Sequence, residues 1–166
     1  MSRTLLLSER QTIQKIRRIA HEVLESNFQE EEIVFAGVVE RGYIFAEMLN
    51  EFFNEISDIP TRLVKISLDK NAPLQSDISL DCAMEEVENK TIVLTDDVLN
   101  TGKTLAYSLK PFLNVPIKKL QVAVVVDRGH HHFPIGADFV GYSLSTSLQN
   151  HVLVELDKDE KAVYIE

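Results

Sequence analysis

The 166-residue sequence predicts an α/β fold, a twisted and mainly parallel sheet flanked by helices. Two observations carry that reading. Short, nearly continuous apolar runs, "EIVFAGVV" (32–39), "TIVLTDD" (91–97) and "LQVAVVVDR" (120–128), have the composition of strands buried on both faces. Helical patterns separate strand patterns through the first 128 residues, and that alternation marks a parallel sheet covered by helices. No internal repeat or low-complexity linker divides the chain, and its length suits a single domain spanning residues 1–166.

The elements follow in order. In "SERQTIQKIRRIAHEVLES", Ile13, Ile16, Ala20, Val23 and Leu24 recur at helical spacing, and Ser8 with Gln11 forms a capping box, so a helix starts near Glu9. The strand at 32–39 ends in Glu40-Arg41-Gly42, after which "YIFAEMLNEFFNEI" is helical again. "TRLVKISL" (61–68) alternates apolar and polar residues, as a half-buried strand does. Residues 69–90 lose all periodicity and read as a long loop with room for one strand. A strand at 91–97, a helix over about 101–113 and a strand at 120–128 come next. The tail, "DFVGYSLSTS" onward to "KAVYIE", suggests short strands, the last two joined by a charged turn.

Composition narrows the function classes. A net charge of −9 opposes non-specific attraction to RNA, DNA or anionic lipid, so a phosphorylated ligand needs its positive groups concentrated at one site. No apolar stretch has the length of a membrane span, and "MSRTLLLSERQ" is too short and polar for a secretory signal. The single cysteine, Cys82, precludes an intramolecular disulfide and suits a cytoplasmic protein.

In such sheets ligands bind beyond the C-terminal ends of the strands. Glu40-Arg41-Gly42, Asp96-Asp97 and Asp127-Arg128 all fall there, and one crevice can gather them. Thr101-Gly102-Lys103-Thr104 enters a helix, where free backbone N–H groups, a glycine permitting close approach and two hydroxyls suit a phosphate monoester. A nucleotide-triphosphate P-loop is excluded, because the glycine it requires five residues before Gly102 is Asp97. Asp96 and Asp97 instead suit a diol one sugar-length from the phosphate, or magnesium held through water. Diol, phosphate and magnesium together describe a ribose 5-phosphate.

Hydrophobic residues followed by D-D-V-L-N-T-G-K-T resemble the phosphoribosyl pyrophosphate (PRPP) signature of the type I phosphoribosyltransferases. "VVVDRGHHHFPIGADFVGYSLSTS" (124–147), "RRIAHEVLESN" and "VLVEL" resemble the bifunctional pyrimidine operon attenuator/uracil phosphoribosyltransferases, so the likeness spans nearly the whole chain. The resemblance implies the type I phosphoribosyltransferase fold with a small hood, a Mg2+ cofactor, and a homodimer or larger homo-oligomer. It also implies PRPP and a nucleobase or nucleoside monophosphate as ligands. By position it assigns Arg41 and Gly42 to a pyrophosphate loop, and Asn100, Thr101, Gly102, Lys103 and Thr104 to the 5-phosphate. Asp96 and Asp97 go to the ribose and metal, Asp127 and Arg128 to the base or pyrophosphate, Phe139 to stacking on the base, and Val140 to reading its edge.

The sequence also departs from the family. Hypoxanthine-type enzymes carry an aspartate at Asn100 and uracil enzymes typically a tyrosine; asparagine cannot act as a base, which favours uracil over hypoxanthine. Glu40 places an acid where this subfamily has a hydroxyl residue. The mobile loop, "SLDKNAPLQSD" (67–77), lacks the usual Tyr-Arg pair and has Lys70 as its only base. His130, His131 and His132 point to alternate sides of an extended segment and have no second ligand cluster, so they read as a surface turn and not a metal site. Lys110, Lys118 and Lys119 form the one candidate RNA patch, which the net charge disfavours. The expected activity is transfer of ribose 5-phosphate from PRPP to uracil. The alternatives are a nucleotide-sensing regulator that has lost catalysis and a purine phosphoribosyltransferase.

Overall fold

The computed structural model describes residues 2–74, 77–145, 150–157 and 159–166. Gln75 and Ser76 of the expected mobile loop, residues 146–149, which include the end of the stretch at 124–147, and Lys158 of the expected charged turn lie outside the described residues. The elements are β1 (Thr4–Leu7), α1 (Glu9–Asn27), β2 (Ile33–Val38), α2 (Arg41–Ile56), β3 (Thr61–Ser67), β4 (Ser79–Leu80), β5 (Thr91–Leu99), α3 (Lys103–Ser108), β6 (Lys119–Asp127), β7 (Phe139–Ser143), β8 (Val152–Leu156) and β9 (Lys161–Ile165). Single 3-10 turns lie at Met84–Glu86 and Lys110–Asn114.

A six-stranded sheet runs β4-β3-β2-β5-β6-β7, parallel except for the short edge strand β4. The apolar runs serve both faces, as their composition requires. Ile33 and Phe35 point toward α1 and α2, packing with Ile16, Ile19, Phe45, Leu49 and Phe53, while Val34, Ala36 and Val38 face Leu105 and Phe112 on the other side. A second sheet, β1-β9-β8, is antiparallel, and its Leu7, Val152, Val154 and Val163 join the α1–α2 core as the hood. This is the type I phosphoribosyltransferase fold that the sequence predicts.

The capping box forms as expected, with Gln11 N donating to Ser8 Oγ and Ser8 N to Gln11 Oε1. Two boundaries differ in ways that bear on the site. Helix α2 starts at Arg41, so Arg41 and Gly42 form its first turn instead of a loop before it. The expected helix over 101–113 stops as an α-helix at Ser108, and a 3-10 turn with Pro111 near its start takes over. Proline removes an N–H and crowds the preceding turn, which explains the break.

Candidate active site at the carboxyl edge of the sheet

Strand β5 outruns its neighbour. Its pairing with β2 ends at Gly37 opposite Thr95, while its pairing with β6 continues to Leu99 opposite Asp127. Asp96 and Asp97 therefore lie inside β5, at the level where β2 has ended and α2 begins. Gly42 fits against this corner. A Cβ there would sit 2.7 Å from the Thr95 carbonyl oxygen and 3.0 Å from Asp96 Cα. The Thr95 hydroxyl donates to the Gly42 carbonyl at 2.7 Å, fastening the first turn of α2 to β5. The Val39–Glu40 peptide at this corner is cis.

Asp96 is 3% exposed. Its Oδ1 accepts from the Asp97 backbone N at 2.9 Å and lies 3.2 Å from Lys70 Nζ. Burial raises its pKa to about 8, the neighbouring Asp97 carboxylate adds to the rise, and Lys70 only partly opposes both. At neutral pH the ligand-free site thus holds a largely protonated Asp96 beside a half-buried Asp97. Lys70 escaped sequence reasoning as a site residue, since an aperiodic loop gives no clue to where its side chains reach.

The next residues form a compact cradle. Gly102 adopts φ 86° and is buried, with Ile135 Cγ2 only 2.5 Å from where a Cβ would stand. The Thr101 carbonyl accepts from the backbone N–H groups of His132 (2.8 Å) and Phe133 (3.0 Å), so the histidine turn clamps this loop. Lys103 N donates to Thr101 Oγ1 at 3.3 Å. A pocket of about 50 Å³ opens here, lined by Asp96 and by residues 98–105. Because α3 has only 6 residues, local N–H and hydroxyl groups, more than a helix dipole, equip the cradle for an anion.

Strand β6 brings the third expected pair alongside. The Arg128 backbone N donates to the Leu99 carbonyl at 3.0 Å, and its side-chain Nη1 to Asn100 Oδ1 at 3.3 Å. Asp127 Oδ1 accepts from Gly129 N at 2.9 Å and lies 3.0 Å from His131 Nε2. Asp127, Arg128, Gly129, Ser143, Leu144 and Ser145 line a second pocket of about 240 Å³.

Phe139 and Val140 require correction. Phe139 opens β7 opposite Ala123, whereas the strand's carboxyl end, Ser143, is the residue level with Asp127. Phe139 is 3% exposed and packs into the α1–α2 core, and the Val140 carbonyl accepts from Arg18 Nη2 at 2.7 Å. Neither reaches the crevice. The residues of β7 that do, Ser143 and the following Leu144 and Ser145, carry no sequence signal of their own; only the strand register selects them.

Arg41 stands at the crevice rim, 44% exposed, with Glu155 Oε1 of the hood 4.0 Å away. Glu40, the residue before α2, is exposed and makes no side-chain cap. The candidate RNA lysines are engaged elsewhere. Lys118 and Lys119 meet Glu30 at 2.6 and 3.4 Å, and Lys110 lies over the Tyr107 ring. The Lys118 ammonium holds the Glu30 carboxyl below its usual range. No helix among the described residues is long and apolar enough to cross a membrane, and none of their His, Cys, Asp and Glu side chains gather in threes as a metal cage.

The phosphoribosyl transferase domain family matches residues 2–159. The chain is 36% identical over 177 aligned residues to the bifunctional protein PyrR of Staphylococcus epidermidis, covering 100% of both chains. It is 33% identical to that of Clostridium kluyveri, covering 96% of this chain and 93% of the relative. A hypoxanthine-guanine phosphoribosyltransferase from Bacillus anthracis superposes with a TM-score of 0.79 at 19% identity over 99% of this chain and 98% of its own. The hypoxanthine phosphoribosyltransferase of Trypanosoma cruzi gives 0.79 at 17%, covering 98% and 95%. A domain match over nearly the whole chain, full-length relatives above 30% identity and a shared fold agree: this chain belongs to the type I phosphoribosyltransferases, in the family of the bifunctional PyrR proteins.

Proposed function

We propose that the chain transfers ribose 5-phosphate from PRPP to a pyrimidine base, uracil, giving the nucleoside monophosphate and pyrophosphate. One observation carries the reading. Asp96 of β5 lies between two groups of backbone donors, the first turn of α2 on one side and the 100–104 cradle on the other, with Asp97 next to it in the strand. PRPP has the complementary order, with a diol between a 5-phosphate and a pyrophosphate.

In this reading the N–H groups and hydroxyls of residues 100–104 hold the 5-phosphate, and Asp96 and Asp97 accept from the ribose hydroxyls. Arg41 and the free N–H groups at the start of the 16-residue α2 receive the pyrophosphate. Glu40 is exposed and solvated, which screens its repulsion. The C1–O bond to pyrophosphate breaks, the base nitrogen bonds to C1, and the proton on that nitrogen is released. Asn100 cannot accept that proton, in keeping with a pyrimidine in place of a purine that needs a carboxylate base there.

The donor set suits magnesium that arrives with the substrate. It offers carboxylates beside the expected pyrophosphate without a protein cage, and magnesium is usually held by one or two carboxylates plus substrate phosphates. Of the two acids Asp97 is the readier ligand, since Asp96 is buried and engaged by Lys70. The metal supplies neutralisation of the departing charge. A homodimer or larger homo-oligomer in the cytoplasm is part of the same reading and rests on the family likeness.

Pyrophosphate release from PRPP with uracil, cytosine, hypoxanthine, guanine and xanthine tests the proposal. Turnover with uracil supports it. Turnover with purines alone overturns the pyrimidine assignment, and PRPP binding without turnover on any base points to the nucleotide-sensing regulator.

A further inference from the structure

We infer that His131 is a positioning residue for the nucleobase. It holds Asp127 so that the carboxylate selects a base presenting a ring N–H between two carbonyls. The inference rests on the phosphoribosyl-transfer reading and names the substrate class for one part of that site.

Asp127 is the last residue of β6 and lies level with Ser143, the last residue of β7. Its Oδ1 takes both local donors, Gly129 N at 2.9 Å and His131 Nε2 at 3.0 Å. The first bond closes a turn typical of aspartate, and the second fixes the remaining torsion of the carboxylate. Among the described residues no donor bonds to Oδ2, and Asp127 lines the pocket of about 240 Å³ together with Ser143, Leu144 and Ser145. The pocket opens beside the cradle, since Arg128, part of its wall, donates to Leu99 and Asn100. The histidine turn is itself tied to the cradle through His132 N and Phe133 N on the Thr101 carbonyl. His131 therefore connects the pocket wall to the residues that precede it by a full strand.

An ionised carboxylate accepts and cannot donate. Facing the edge of uracil it meets an N–H, with the flanking carbonyls open to the Ser143 and Ser145 hydroxyls. Facing cytosine it meets a ring nitrogen lone pair, which repels it. A site that leaves a buried polar group opposed to its like discriminates strongly. If His131 were merely half of a solvent-facing ion pair, its removal would alter neither base affinity nor base choice, because such pairs contribute little.

Steady-state rates with PRPP and base varied separately, on wild type, His131→Ala, His131→Gln and Asp127→Asn, test the inference. His131→Ala should raise KM for uracil about tenfold while KM for PRPP stays within about twofold, a loss of one hydrogen bond to a charged group. His131→Gln, whose amide N–H can still donate to Oδ1, should restore KM for uracil to within about threefold of wild type. Asp127→Asn should cut the preference for uracil over cytosine about tenfold, since its amide can donate to the cytosine ring nitrogen. Wild-type KM for uracil in His131→Ala overturns the inference. Equal rises in both KM values overturn it too, because they show a disturbed turn instead of a positioned carboxylate. A wild type that releases no pyrophosphate from PRPP with any base, whether or not it binds PRPP, overturns the transfer reading itself, and the inference falls with it.

Discussion

The buried acid of β5 makes a prediction whose sign is fixed by the structure. Asp96 has a folded-state pKa of about 8 against an ordinary 3.8, because burial outweighs the attraction of Lys70. Between those values the folded protein holds a proton that the unfolded chain has released. Stability must then fall as pH rises through that window, by about 1.4 kcal/mol per pH unit where the difference is complete. Asp96→Asn abolishes this term. The amide keeps an oxygen for Asp97 N and Lys70 Nζ, but its own N–H groups need partners, so the variant's stability at any one pH carries an offset of about 1–3 kcal/mol of either sign. The pH slope carries no such offset. Glu30 and Glu32, whose pKa values are lowered by their lysine partners, lose stability only on acidification below their usual range, so neither contributes to the slope between pH 5 and 8. Urea unfolding of ligand-free wild type should show stability falling by at least about 2 kcal/mol from pH 5 to pH 8, equivalent to roughly 4–8 °C in Tm for a chain of this size. The variant should lack that contribution, its slope over the same range being shallower by this amount, and it should bind PRPP more weakly. Parallel slopes in the two proteins would refute the reasoning, since they would mean that Asp96 is ionised throughout.

The other expectations are simpler. Thr101→Ala with Thr104→Ala removes two donors to a charged group and should weaken binding of PRPP and UMP by about 1–3 kcal/mol in calorimetry; unchanged affinity would move the 5-phosphate elsewhere. Gly42→Ala puts a Cβ 2.7 Å from the Thr95 carbonyl oxygen, where backbone faces backbone, so chemical denaturation should show a loss of about 1–3 kcal/mol and PRPP binding should suffer with it. A pyrimidine-leader RNA hairpin should bind weakly at near-physiological salt, because Lys118 and Lys119 already neutralise Glu30; nanomolar binding to one hairpin, stimulated by UMP and lost on scrambling, would contradict this.

The sheet was legible because its strands are covered on both faces, which forces near-continuous apolar runs such as 32–39 and 120–128. Strand β1 was not. "TLLL" has no alternation or turn signal beside it, and its partner β9 lies at the opposite end of the chain, so only tertiary pairing makes it a strand. The early end of α3 was readable in principle, since Pro111 stood inside the expected helix.

The site divides along the same line. Residues 96–104 are consecutive, so their chemistry could be read as a unit, and the fold gathers all of them except Asp97 around one pocket. What sequence could not supply was the register that decides which end of β7 faces the crevice. Phe139, locked against α1, and Ser143, level with Asp127, stand four positions apart on β7, and the motif alone favours the wrong one. Lys70 and His131 share a further reason for having been passed over. Each reaches its aspartate from a segment without periodicity, so nothing local announces the contact. Both contacts end on a carboxylate of the candidate site, and in each case the sequence had marked the acid and not its partner. The acids stand at fixed positions on strands β5 and β6, where pattern determines orientation; the residues that tune them are borne by loops, where only the folded backbone does.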